Sequence, residues 1–411
     1  MSFDIKELLK SAREDGVSDI HLKVGAPPVL RKDGKLLPLK DLPPLTSEDI
    51  WKAVRLMTNE KQRKTLEEVK GLDIAYELED VGRHRVNIFF QKGELAVAIR
   101  IIPSVIRTIR ELNLPPVIER LALEDRGLIL VTGVAGMGKS TTLAAMIDYI
   151  NENKSSRILT IEDPIEYVFT DKKSFISQRE VGIDTPSFYQ GLKEALRQDP
   201  NVIMVGEMRD LETIQTALQA AETGHLVLST LHTLDAKESI NRIISVFPGQ
   251  MQNEVRIQLS SVLKAVISQR LVPTADGKNR VPAVEIMVTT ARIRDMILRE
   301  ERLGELKEAI AEGYIPYGMQ TFEQSLFYLW KKGLITAEMA LDFATNRENL
   351  ELRMKGITTD QESRYWKIFE EMALRELGQL PEEDSTTLKK ADQSDNKIEK
   401  EIKNLLKELN I

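Results

Sequence analysis

Cysteine is absent from this sequence. Its absence excludes disulfides, thiolate nucleophiles and cysteine-ligated zinc together. Long apolar runs are missing too: none approaches the roughly 20 residues that cross a bilayer. The opening stretch Met1–Asp15, MSFDIKELLKSARED, is too charged for a secretory signal. The expectation is a cytoplasmic chain with no membrane insertion, able to reach a membrane only through a partner. Nor is there a surplus of positive charge, since 57 Lys and Arg face 64 Asp and Glu for a net charge of -7. Phosphate backbones are held by an excess of basic side chains, so the composition counts against a nucleic-acid binder. No internal repeat is visible.

What is present is an ordinary soluble balance, 42% hydrophobic and 29% charged over 411 residues, enough chain for two or three domains. Residues 1–100 combine a short amphipathic helix with the alternating segments RHRVNIFF (Arg83–Phe90) and LAVAIRIIP (Leu95–Pro103), the period of strands, and read as a small α+β domain. A linker, 101–120, carries the proline-bearing LNLPPVIERL. From 121 the pattern becomes strand, glycine loop and helix, then apolar strands RILTIED, VIMVGEMRD and GHLVLSTLH between helical stretches, as a parallel sheet covered by helices requires. Beyond about residue 250 it reads as mostly helical to Ile357. Residues 358–411 read as a charged tail with two helices, one striped by Tyr365, Ile368, Phe369, Met372 and Leu377, the other by Ile398, Ile402, Leu405 and Leu409.

The chemistry-bearing residues cluster in that second region. GVAGMGKS, spanning Gly133, Val134, Ala135, Gly136, Met137, Gly138, Lys139 and Ser140, fits G-x-x-x-x-G-K-[ST] between a strand and a helix. The loop N–H groups, with those of the helix start through Thr141, would cradle phosphates; Lys139 would reach the β and γ oxygens and Ser140 would ligate magnesium, so ATP and Mg2+ are the expected ligands. NVIMVGEMRD (Asn201–Asp210) reads as a buried strand ending at Glu207, where a nucleotide-hydrolysing enzyme holds its metal. TIEDPIEY (Thr160–Tyr167) ends another strand in acids around Pro164; a carboxylate there either aligns an attacking water or is a solvated turn. Of only four histidines, His225 and His232 flank LVLSTL, either contacting a γ-phosphate or serving as satisfied residues at strand ends. Arg83, Arg85 and Arg100 lie on first-domain strands, Arg83 and Arg85 on one face, available either to a transferring phosphoryl group or to ion pairs.

Taken together these segments resemble the secretion ATPase superfamily of type II secretion and type IV pili. Its signature, Leu-Arg-x-x-Pro-Asp followed by an apolar run and Gly-Glu-Met-Arg-Asp, is matched by LRQDPNVIMVGEMRD (Leu196–Asp210), with Asn201 where aspartate is usual. The resemblance makes Glu207 the Walker B glutamate that holds magnesium, Glu166 the general base, His232 a γ-phosphate contact and His225 its support. SDIHLKVGAPPVLRKDGKL (Ser18–Leu36), YGMQTFEQSLFYLWKKGLIT (Tyr317–Thr336) and NRENLELRMKGI (Asn346–Ile357) are most similar to the PilT-type retraction ATPases of type IV pili. The loop departs from them in reading VAGM where PTGS is common, and RIRDMILRE (Arg292–Glu300) matches the retraction-associated segment only loosely.

The fold so implied is α/β, a PAS-like N-terminal domain before a RecA-like P-loop domain with C-terminal helices. The function implied is a homo-hexameric ATPase that drives pilus retraction, and so twitching motility, through an inner-membrane platform protein. Arg83, Arg85 or Arg100 would reach a nucleotide shared between subunits. An accessory ATP-binding regulator of a paralogous pilus ATPase, or a nucleic-acid translocase, is the alternative.

Overall fold

A computed structural model describes residues 3–32, 34–79, 81–102, 105–357 and 363–378. The chain forms two compact units: Met1–Ile106 with Pro164–Thr170, and Arg107–Asp163 with Asp171–Ile411. The second is thus interrupted in sequence by seven residues that belong to the first.

The first unit is built on six antiparallel strands, β1 (Asp19–Lys23), β2 (Val29–Lys32), β3 (Lys35–Pro38), β4 (Gly71–Leu78), β5 (Gly82–Gln91) and β6 (Glu94–Ile101), in the order β3-β2-β1-β6-β5-β4. Alternation decides which face is buried. On β5, His84, Val86 and Ile88 turn inward while Arg83 and Arg85 point the other way. The helix Ile5–Glu14 offers Ile5, Leu8, Leu9 and Ala12, spaced for one face, and Ser47–Met57 adds Ile50, Ala53 and Val54. Both meet Ile20, Leu22, Val97 and Ile99 in one core. Thr46 with Asp49, and Asn59 with Gln62, close reciprocal caps that fix where two of these helices start.

The second unit carries seven strands, β7 (Gly127–Thr132), β8 (Arg157–Glu162), β9 (Phe175–Glu180), β10 (Val202–Val205), β11 (Leu226–Leu231), β12 (Leu263–Pro273) and β13 (Arg280–Val288), in the order β13-β12-β7-β11-β10-β8-β9. All neighbours are parallel except β12 and β13. β7, β10 and β11 are buried along their whole length, which explains their unbroken apolar runs. Leu128, Leu130, Ile203, Val205 and Val227 face a core filled by the helices Leu211–Glu222, Ala236–Ser245 and Gly249–Val262. Their alternates, such as Ile129, Val131 and Leu228, are equally buried on the other side, where the helix Lys139–Asn153 packs on β7 and β11. Parallel strands end at a common edge, so the loops after Thr132, Glu162, Val205 and Leu231 leave the sheet together. The chain skips from β7 to β8, returns through β10 and β11, then crosses to β12 on the far side of β7, and such a reversal of direction opens a crevice at the carboxyl edge.

The expectation of mostly helical structure beyond residue 250 is corrected by β12 and β13. Both faces of this hairpin are buried, so it lacks the alternation that marks a half-buried strand; its β-branched residues Val266, Ile267, Val272, Val281, Val284 and Ile286 carry the signal instead. Gly277, at φ +67, closes the turn between them.

In the tail, the helix Ser363–Glu376 packs on the same unit through Trp366, Phe369 and Ala373. The rings of Trp366 and Phe369 lie 5.2 and 5.9 Å from Phe327, and Tyr314 meets Phe369 edge-on at 4.8 Å. Of the stripe read from sequence, Phe369 alone is fully buried among residues whose side chains are described; Ile368, Met372 and Leu377 are half-buried. The buried face carries Trp366 and Ala373 beside Phe369, three residues before it and four after. The second stripe, Ile398 to Leu409, lies outside the described residues.

Candidate nucleotide site

β7 runs into the loop Gly133–Gly138 and the helix Lys139–Asn153, as the motif requires. Two of its glycines are enforced by close approach. A Cβ on Gly133 would lie 2.5 Å from the carbonyl oxygen of Gln269, and one on Gly138 2.8 Å from the Gln269 Nε2. The helix begins at Gly138 with no side-chain cap, and the N–H groups of a helix's first turn point toward the loop, where an anion is favoured. Lys139 is buried; its Nζ donates to the carbonyls of Gly133 (2.7 Å) and Val134 (3.0 Å), folding the side chain back along the loop. Ser140 is exposed.

Glu207 follows β10 by two residues. Its Oε2 is 2.8 Å from Arg209 Nε and 3.4 Å from His232 Nε2, the latter just past the end of β11. The backbone behind them is pinned, since Ser229 Oγ donates to the Val205 carbonyl and Thr230 Oγ1 to that of Gly206, each at 2.7 Å. The rest of GEMRD is accounted for locally: Met208 is in the core, and Asp210 caps the next helix by accepting from Thr213 N at 2.8 Å. The structure therefore brings the phosphate loop, Glu207 and His232 to one edge of the sheet.

It does not bring His225 there. His225 precedes β11 at the opposite end of the strand, where its Nδ1 lies 2.9 Å from the carbonyl of Ala220 at the close of the helix Leu211–Glu222. Its role as support for a phosphate contact is corrected to one of helix closure, because six strand residues separate the two histidines and β11 ends them at opposite edges. Asn201 lies at that same far edge, its Oδ1 accepting from Arg157 N at 2.8 Å, a bond that an aspartate oxygen could accept as well.

The remaining residues fall on the first unit. Arg85 and Arg100 are cross-strand partners on β5 and β6, both exposed, and Arg83 lies half-buried on the same face of β5 as Arg85. Arg100 Nε donates to Asp19 Oδ1 at 2.9 Å. Burial alone would raise the Asp19 pKa, but the bonds from Arg100 and Ser18 prevail and hold it below the usual carboxylate range. Glu166 is exposed within Pro164–Thr170, the segment that belongs to this unit.

With this geometry in hand, comparison with known proteins is decisive. The family model described as type II/IV secretion system protein matches residues 3–313. The chain belongs to this family. It is 47% identical over 346 residues to the type IV pilus retraction ATPase PilT of Pseudomonas aeruginosa, covering 84% of this chain and 99% of that protein. Identity to the type IV pilus ATPase PilU of the same organism is 41% over 352 residues, 86% of this chain and 91% of that one. Among solved structures, the pilus retraction motor PilT with bound ADP matches at 50% identity and a TM-score of 0.78, covering 85% of this chain and 99% of that chain.

Two residues that sequence reading passes over belong to this family member's site region. Glu162, at the end of β8, is buried and accepts from Thr160 Oγ1 (2.6 Å) and Gln178 Nε2 (3.1 Å). Its place in TIEDPIEY was a usable signal. Gln269, buried on β12, had none, standing some 130 residues from the loop it touches.

Proposed function

We propose that this chain is an ATP-hydrolysing motor for type IV pilus retraction, and hence twitching motility. The observation that carries the reading is the convergence of Gly133–Ser140, Glu207 and His232 on one sheet edge, in a chain 47% identical to a retraction ATPase. In this reading Lys139 exchanges the carbonyls of Gly133 and Val134 for β- and γ-phosphate oxygens, so phosphate binding opens the folded-back side chain. His232, beside Glu207, offers a hydrogen bond to the γ-phosphate. Glu166 accepts the proton of the attacking water.

Magnesium suits the donors present, because it takes one or two protein oxygens and completes its shell with phosphate and water, and Ser140 and Glu207 supply oxygens of that kind. Bound there, it would neutralise charge developing on the transferred group.

Residues 1–100 are taken as a PAS-like domain, 101–120 as a linker, 121–357 as a RecA-like domain with C-terminal helices and 358–411 as a tail. In a homo-hexamer, Arg83, Arg85 or Arg100 reaches the nucleotide of the neighbouring subunit, a role suited to three arginines on two adjacent strands, β5 and β6. The motor acts from the cytoplasmic side on an inner-membrane platform protein. Among the described residues no helix is long and apolar enough to cross a membrane itself.

Gene deletion tests the reading: hyperpiliated cells without twitching are the expected result, and bald cells would assign the chain to pilus extension or assembly. A second reading, an accessory ATPase that works beside another, draws on the 41% identity to PilU. Purified chain that hydrolyses ATP alone counts against it.

A further inference from the structure

β12 is longer than the strand it pairs with. β7 ends at Thr132, opposite Ser268, while β12 continues to Pro273, so Gln269 and Leu271, flanked by β13 on one side, have the phosphate loop on the other in place of a strand. The Gln269 side chain uses both ends of its amide there. Oε1 accepts from Thr142 Oγ1 at 2.7 Å, and Nε2 donates to the Met137 carbonyl at 2.7 Å. Thr142 lies in the helix Lys139–Asn153 and Met137 in the loop, so one buried amide spans the two parts of the phosphate site. A third contact follows the same strand: Leu271 N donates to Met137 Sδ at 3.3 Å, a bond that the serine common at this position could not make in the same way.

We infer that Gln269 is a positioning residue for nucleotide binding, holding the Met137–Gly138 peptide in the orientation that phosphate recognition needs. The inference rests on the nucleotide reading above. In a trans peptide the C=O and N–H point in opposite directions. Fixing the Met137 carbonyl on Gln269 therefore turns the Gly138 N–H away from β12, toward the side on which phosphate is cradled. Without that bond the peptide is free to rotate, and a donor is lost from the cradle as well as an acceptor from the amide. The bond to Thr142 ties the same amide to the helix whose first N–H groups complete the site. The loop's own VAGM sequence supplies no side-chain hydroxyl to do this from within.

The test uses the purified full chain, a fluorescent ADP analogue, steady-state ATP hydrolysis and nucleotide-free thermal unfolding. Gln269→Met keeps the volume but removes both bonds, and is expected to weaken ADP binding about tenfold, with KM for ATP rising similarly and kcat changing less. Thr142→Val leaves the Met137 bond intact and is expected to cost about threefold. Gln269→Glu adds a signature that loss of packing cannot give. Near pH 8 its carboxylate repels the Met137 carbonyl and ADP binds as weakly as to the Met variant; near pH 6 a carboxyl so buried regains its proton and donates again, so affinity recovers. Two results overturn the assignment: ADP affinity within about twofold of wild type in Gln269→Met while only the melting temperature falls, or no recovery of Gln269→Glu on acidification. Wild-type chain that binds ADP but hydrolyses no ATP would sink the motor reading and leave this assignment standing; wild-type chain that binds no ADP sinks both.

Discussion

Glu285 on β13 is predicted to make this protein less stable as pH rises through neutrality. Its side chain is buried, Oε1 accepts from Ala236 N at 3.0 Å, and Asp235, Glu323, Lys307 and Arg270 are the charged groups that act around it. Burial pushes its pKa up from 4.5 to about 7; the Ala236 N–H pulls it down, and the like charges of Asp235 and Glu323 raise it further. The folded chain therefore keeps a proton that the unfolded chain releases. Stability from this group is full below the unfolded value of 4.5 and is lost until pH passes about 7, after which both states are ionised. A span of about 2.5 pH units corresponds to about 3 kcal/mol.

Glu285→Gln retains the size and the acceptor for Ala236 but cannot ionise. Its urea midpoint, followed by fluorescence of Trp330 and Trp366, is expected to exceed wild type by the equivalent of about 3 kcal/mol at pH 8, shrinking to less than half of that at pH 5.5. Parallel stability curves for the two proteins across that range would refute the reasoning.

Three further outcomes are expected. Glu166→Gln should keep ADP binding while hydrolysis falls by about 100-fold or more, whereas Lys139→Ala should lose nucleotide affinity itself; undiminished turnover in Glu166→Gln removes that residue as the base. Subunits carrying Arg85→Ala, inactive alone, should regain part of their activity when mixed with Lys139→Ala subunits if the arginine acts across an interface, and mixed rings that stay inactive argue against it. Phe369→Ala should lower the melting temperature by an amount corresponding to about 3–5 kcal/mol, as for other large buried rings, because its side chain is held against Phe327 and Tyr314; a change near zero would mean that the tail helix is not seated as described.

Local signals carried much of this architecture. Gly133–Ser140 announced itself because a glycine loop between a β strand and a helix has few other uses, and the buried strands VIMV and LVLSTL are recognisable as apolar runs between turns. The alternation of β5 correctly set Arg83 and Arg85 on one face. What failed were judgements in which position along an element mattered more than membership of it. His225 and His232 sit at either end of one strand, and a list of flanking residues does not say that a strand has two ends at different edges of a sheet. β12 and β13 escaped because burial on both faces erases alternation. Gln269 was beyond reach, since the contact between a β12 amide and the loop depends on strand order, and β12 lies next to β7 only after four intervening strands and five helices have been placed.

The sequence interruption of the second unit has a consequence for synthesis. Ribosomes release the chain from its amino end, and domains generally fold as they emerge. Residues up to Ile106 leave first, yet their unit also claims Pro164–Thr170, which follow β7, the phosphate loop and β8. The earlier unit thus cannot be completed until a substantial part of the later one has been made. A gene fragment that stops at residue 106 encodes most of a domain but lacks its final segment, and exchanging N-terminal units between relatives at a single splice point would leave each hybrid with seven residues inherited from the wrong parent.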